Sequence, residues 1–113
     1  MNMKERMVAG LPYKAWLDGL PEAHLECQKK TFEYNNLAPG DERTDEVIRS
    51  VLGSAGKNLH IEQPFHCDYG KNIEVGDNFY SNFNLVILDV AKVKIGNNVM
   101  CAPNVAIYSA GHP

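Results

Sequence analysis

The residues able to do chemistry in this chain are few. It has four histidines, His24, His60, His66 and His112, and three cysteines, Cys27, Cys67 and Cys101. An imidazole titrates near pH 6.5, about where a general base must work. His112 follows Gly111, and a glycine lets backbone and substrate approach closely. Residue type alone leaves a structural or surface role open for every histidine. The cysteines form an odd, sparse set without CxxC spacing, a poor disulfide framework. They fit a reducing compartment, as small buried apolar groups.

Composition narrows the classes. The chain has 113 residues, 44% of them hydrophobic, which suits one globular unit. A net charge of -3 gives no support for a nucleic-acid binder, which carries a basic face. No apolar run approaches the roughly 20 residues needed to span a bilayer. The N-terminal Met-Asn-Met-Lys-Glu-Arg-Met carries charge but no apolar stretch after it, so no signal peptide is read there. A cytoplasmic protein is expected.

The elements that must position these residues fall into two kinds. Residues 1–54 read as helical. Leu20-Pro21-Glu22-Ala23 is a helix start, with Pro in the first turn and Glu22 at the positive end of the dipole. Ala23, Cys27, Thr31 and Tyr34 follow one face, and Asn35, Asn36, Pro39 and Gly40 end the segment. Thr44-Asp45-Glu46-Val47 opens a second helix with Val47, Ile48, Val51 and Leu52 as its stripe. A further short helix is expected to end near Gly10.

From residue 55 helical spacing disappears and an internal repeat replaces it. Windows starting at Ala55, Val75 and Ile95 agree column by column: Gly56, Gly76 and Gly96; Asn58, Asn78 and Asn98; Phe65, Leu85 and Val105; Cys67, Ile87 and Ile107. Within a window the inward positions recur every six residues, as in Ile95, Cys101 and Ile107. A second series falls four residues after each, as in Phe79 and Leu85. This period describes short strands separated by corners, three strands to a triangular coil, with stacked coils sharing one core. Glycine and asparagine tolerate the left-handed backbone of tight corners, which the Gly-x-Asn columns are expected to supply. Three hexads leave two extra residues per coil, expected at a corner near Val93-Lys94.

Ile95-Gly96-Asn97-Asn98-Val99-Met100 and Cys101-Ala102-Pro103-Asn104-Val105-Ala106 resemble the hexads of the left-handed parallel β-helix acyltransferases. Ala9-Gly10-Leu11-Pro12-Tyr13, Cys67-Asp68-Tyr69-Gly70, Phe79-Tyr80-Ser81-Asn82-Phe83-Asn84, Ile87-Leu88-Asp89 and Ala110-Gly111-His112-Pro113 are similar, in that order, to strings of the maltose/galactoside O-acetyltransferase family. The resemblance implies a mainly β fold: a left-handed parallel β-helix over residues 55–113, cut in its third coil, after a small helical domain over 1–54. It also implies a homotrimer that moves acetyl from acetyl-CoA to a hydroxyl of a small sugar of maltose, glucose or galactoside type, with no metal. Most acetyl-CoA contacts are expected beyond Pro113, so the 113 residues alone are expected to be inactive.

By the same resemblance His112 is the general base and Asn82 lies near the reacting centre. Asp68 and Asp89 line or support the acceptor pocket. Tyr80 and Phe83 as an apolar wall for a sugar ring stand beside Tyr80 and Phe83 as core or interface packing. Asn82 as an oxyanion donor stands beside Asn82 as a corner residue; Asp68 and Asp89 as pocket groups stand beside solvated corner carboxylates. Family members often carry an acidic residue just after the Ala-Gly-x-x-Tyr string; Asp18 looks displaced from that place and is left unassigned. Cys101 as an acyl-accepting nucleophile is set against its inward column with Ile61 and Ser81, where burial makes a thiol inert. Two other readings of the coils are a non-catalytic oligomerisation scaffold and a trimeric carbonic anhydrase. The latter needs histidines converging on zinc, and His60, His66 and His112 do not converge within one chain.

Overall fold

The computed structural model describes residues 1–110; Gly111, His112 and Pro113 lie outside the described residues. Three helices come first. α1 (Met3–Val8) starts at Asn2, whose side chain accepts from the Glu5 N–H at 2.8 Å. α2 (Leu20–Asn35) is entered from Gly19 in the left-handed conformation, with Pro in its first turn. α3 (Thr44–Val51) buries Val47, Ile48 and Val51, and Lys30 and Lys71 both place Nζ on the Ser50 carbonyl at its negative end. The buried stripe of α2 is Leu20, Cys27, Thr31 and Tyr34. Ala23, expected on that face, is exposed. Ala23 lies at the edge of that face and lines an open cavity with Leu20 and Cys27.

Nine short strands follow: β1 (Ser54–Ala55), β2 (His60–Ile61), β3 (Phe65–Cys67), β4 (Ile73–Val75), β5 (Tyr80–Ser81), β6 (Leu85–Leu88), β7 (Val93–Ile95), β8 (Met100–Cys101) and β9 (Ala106–Tyr108). They form three parallel sheets ordered β1-β4-β7, β2-β5-β8 and β3-β6-β9. The register Ala55↔Val75↔Ile95 and Cys67↔Ile87↔Ile107 is the 20-residue repeat of the sequence. Each repeat thus adds one strand to each of three sheets. Val75, Ser81 and Ile87 are buried; Ile95 and Ile107 are half-buried against the same core.

The corners show what glycine and asparagine each do. Asn58, Asn78 and Asn98 hold φ of 58°, 60° and 60°, the left-handed region that asparagine tolerates. Their amides form a ladder, Asn58 Nδ2 to Asn78 Oδ1 at 2.9 Å and Asn78 Nδ2 to Asn98 Oδ1 at 2.8 Å. The glycine column is not left-handed, contrary to the expectation; it serves close approach. A Cβ on Gly76 would stand 2.3 Å from Asn97 Oδ1 and 2.9 Å from the Gly96 carbonyl carbon. Gly76→Ala is therefore expected to cost about 1–3 kcal/mol by overpacking. Gly96→Ala, which meets nothing within 4 Å, should change stability in this chain by less than about 0.5 kcal/mol. Urea midpoints of the two variants check the contrast.

The two extra residues of each coil fall just before the expected Val93-Lys94. Val93 and Lys94 are paired strand residues of β7, opposite Ile73 and Glu74. The inward positions Cys67 and Val75, and Ile87 and Ile95, are eight residues apart instead of six, so the extra residues fall in the corners 68–72 and 89–92, immediately before β4 and β7.

α2 closes the edge strand of one sheet. Asn35 Nδ2 donates to the Phe65 carbonyl and Asn35 Oδ1 accepts from the Phe65 N–H, both at 2.9 Å. Tyr34 donates its hydroxyl to the Ile61 carbonyl, and Gln28 Nε2 reaches the Cys67 carbonyl at 3.1 Å. These bonds satisfy backbone groups an edge would leave open. Cys27, Tyr34, Val47, Ile48, Val51 and Leu52 join Ile61, Phe65, Phe79, Leu85 and Ile87 in one hydrophobic core.

Candidate active site

The longest corner is built around one carboxylate. Asp89 is 0% exposed, directly after β6. Its Oδ1 accepts the backbone N–H of Asp68 at 3.0 Å and of Tyr69 at 2.9 Å, and its Oδ2 that of Asn72 at 3.3 Å. Asn72 Nδ2 returns a bond to the Asp89 carbonyl at 2.8 Å. Burial pushes the Asp89 carboxyl above the usual range, and the backbone N–H groups pull it back down. Asp89 is thus a buried anchor that holds the backbone of Asp68, Tyr69 and Asn72.

Asp68 itself is half-buried beside a cavity of about 500 Å³ lined by Tyr13, Asp68, Leu88, Ala91, Tyr108 and Ala110. Burial raises its carboxyl, an effect opposed by His24, whose Nε2 stands 3.8 Å from Asp68 Oδ1. The His24 ring meets Tyr69 edge-on at 5.9 Å. No local signal marks His24; it stands 44 positions from Asp68 in sequence, and only the docking of α2 brings them together. Ser109 donates to the Leu88 carbonyl at 2.5 Å and accepts from Ala91 N–H at 3.1 Å, closing the same corner one repeat on. Ala110, next in sequence to the Gly111-His112 pair, lines this cavity; His112 lies outside the described residues.

Tyr80 and Asn82 stand elsewhere. Tyr80 is on β5, stacked on His60 at 5.2 Å and 5° between planes. Glu62 holds that imidazole through its Nε2 at 2.8 Å. Asn82 is half-buried at the next corner, its Oδ1 accepting the Phe83 N–H at 2.8 Å. Phe83 is exposed. One chain thus brings Asp68, Asp89 and His24 together at the corner between β3 and β4, and leaves Tyr80 and Asn82 by the corner between β5 and β6.

Cys101 is buried in the inward column with Ile61 and Ser81, and burial pushes its thiol up. Asp18 accepts the Met3 N–H at 2.7 Å and so caps α1. His60 and His66 sit in different sheets, on β2 and β3. Among the described residues no three His, Cys, Asp or Glu gather as a metal site. No helix among them is long and apolar enough to cross a membrane.

Known proteins share this fold. Residues 6–56 match the maltose acetyltransferase hexapeptide capping motif. The galactoside O-acetyltransferase of Escherichia coli is 40% identical across all of this chain and 56% of its own length. The crystal structure of a maltose O-acetyltransferase from Clostridium difficile superposes with a TM-score of 0.97 at 44% identity, over all of this chain and 61% of that one. A galactoside acetyltransferase in complex with coenzyme A gives 0.95 at 40% identity, over all of this chain and 57% of that one. The chain spans a little under three-fifths to about three-fifths of these relatives' length. By sequence and by fold the chain is similar to the maltose and galactoside O-acetyltransferases, and its residues 6–56 match their capping motif.

Proposed function

We propose that the protein carrying this chain transfers an acetyl group from acetyl-CoA to a hydroxyl of a small sugar, of maltose, glucose or galactoside type. The observation that carries the reading is the cavity at the Asp68 corner, bordered by the residue that leads into Gly111-His112. It occurs in a fold shared with an acetyltransferase that holds coenzyme A. His112 takes the proton of the sugar hydroxyl as its oxygen attacks the thioester carbonyl. The tetrahedral intermediate then expels the thiolate of coenzyme A. Asn82 donates to the carbonyl oxygen as negative charge builds there, a contact worth about 2.7–4 kcal/mol for one good donor. Asp68 binds the acceptor, Tyr80 packs on the sugar ring, and Asp89 acts through the backbone it holds.

The two corners of one chain carry different parts of this machinery. A homotrimer joins them by setting the Tyr80–Asn82 side of one copy against the Asp68 corner of the next. The three sheets are the faces of a left-handed parallel β-helix over residues 55–113, and residues 1–54 form its helical cap. Further coils supply most contacts to acetyl-CoA, and the enzyme works in the cytoplasm.

Transfer is direct, through a ternary complex, because the Cys101 thiol is buried and held protonated. Initial velocities with acetyl-CoA and sugar both varied should give intersecting lines. Cys101→Ala should lower stability and leave kcat within about twofold, since the residue only packs. Parallel lines, with acetyl trapped on Cys101, would overturn the direct mechanism.

A further inference from the structure

Two of the three thiols touch. Cys27, on the buried face of α2, and Cys67, at the end of β3, have their Sγ atoms 3.4 Å apart, and both residues are 3% exposed. Both are free, as is Cys101. The 40 residues between them hide this contact from any reading of spacing. A disulfide has its sulfurs roughly 2.05 Å apart, so a bond needs each thiol to move by well under 1 Å. Cys27 also faces a cavity of about 150 Å³ lined by Met7, Leu20, Val51 and Tyr69, with Lys30 and Lys71 around it. That space admits a molecule the size of a hydroperoxide, whereas Cys67 does not line it.

From this geometry we propose that Cys27 and Cys67 are an oxidative cross-linking site, at which a small hydroperoxide converts the thiol pair into a disulfide joining α2 to β3. The Cys27 sulfur attacks the peroxide, forming an S–O bond as the O–O bond breaks and giving a sulfenic acid and one water. The Cys67 sulfur then displaces the oxygen as a second water, forming the S–S bond. Two thiols lose two protons and two electrons, and hydrogen peroxide accepts both. The hydrogen bond with Cys27 and burial push the Cys67 thiol up, so its attack on the sulfenic acid is slow at neutral pH and accelerates as pH rises. Oxidised glutathione, too large for the cavity, reacts far more slowly than peroxide.

The bridge has a defined structural effect. The Cys67 carbonyl already receives Gln28 Nε2, and Cys67 precedes Asp68, which faces His24 across the same junction. Oxidation locks α2, with His24, onto the corner that carries Asp68.

The test uses the full chain exposed to hydrogen peroxide, then mapped without reductant. Three titratable thiols should fall to one, with a mass loss of about 2 Da and a linked peptide pair containing Cys27 and Cys67. Tm should rise by roughly 10 °C, because the link closes a long loop, and a dithiol reductant should reverse it. Cys101→Ser should keep the link and Cys67→Ser should abolish it; if Cys67→Ser does not fold, the peptide map of the unaltered chain still decides. A linkage through Cys101, or sulfinic acid on Cys27 without a bridge, would overturn the proposal. So would three thiols still titrating after prolonged peroxide exposure.

Discussion

Replacing His112 by alanine is expected to lower kcat for acetyl transfer by about 10²–10⁴-fold, the range a positioned general base contributes. A sugar hydroxyl is almost fully protonated at neutral pH and attacks a thioester slowly unless its proton is taken during the attack. Imidazole suits the task because its ordinary pKa lies near working pH. The base acts mainly in the transition state, so binding of acetyl-CoA should change little, and kcat and kcat/KM should fall together. The remaining rate comes from holding sugar and thioester in reacting geometry. A His112→Ala enzyme with unaltered kcat would remove the base from the mechanism. Steady-state kinetics of the purified variant, with acetyl-CoA affinity measured separately by calorimetry, make the distinction.

The second large effect is structural. Asp89→Ala is expected to destabilise the chain by about 3–5 kcal/mol. It removes the acceptor of the Asp68, Tyr69 and Asn72 N–H groups around a fully buried carboxylate. Each buried donor left unpaired costs about 1–3 kcal/mol, and relaxation of the corner recovers part of the total. Asp89→Asn keeps an acceptor oxygen in place for the Asp68 and Tyr69 N–H groups. It should therefore cost much less, about 1–2 kcal/mol. Guanidinium melts with unchanged slope would give both values. Equal losses for the two variants would mean that packing volume, and not the N–H acceptors, is what the corner requires.

Much of the fold was legible because its signals are periodic. The 20-residue columns of glycine, asparagine and aliphatic residues reappear as strand register, and the Leu20-Pro21 and Thr44-Asp45 starts mark α2 and α3. The errors concern effects that period cannot encode. Glycine at 56 and 76 looks like a residue chosen for its φ; a close approach by the next coil is what excludes a Cβ there.

The strings mark the candidate residues Asp68 and Asp89 but not their grouping with His24. Asp68 and Asp89 both carry the resemblance, yet one borders the cavity and the other is a fully buried anchor. That difference arises from which backbone N–H groups turn inward at a five-residue corner. His24 and Cys27 have no local signal at all; they reach Asp68 and Cys67 only because Tyr34 and Asn35 dock α2 on the coil edge.

Sugar-dependent acetyl transfer is read out by the release of coenzyme A. The protein carrying this chain should release the free thiol from acetyl-CoA at a rate that rises and saturates with maltose, glucose or a galactoside, yielding one acetylated sugar per thiol. Thiol release that is the same with and without every sugar of the panel, or no release with any of them, would contradict it.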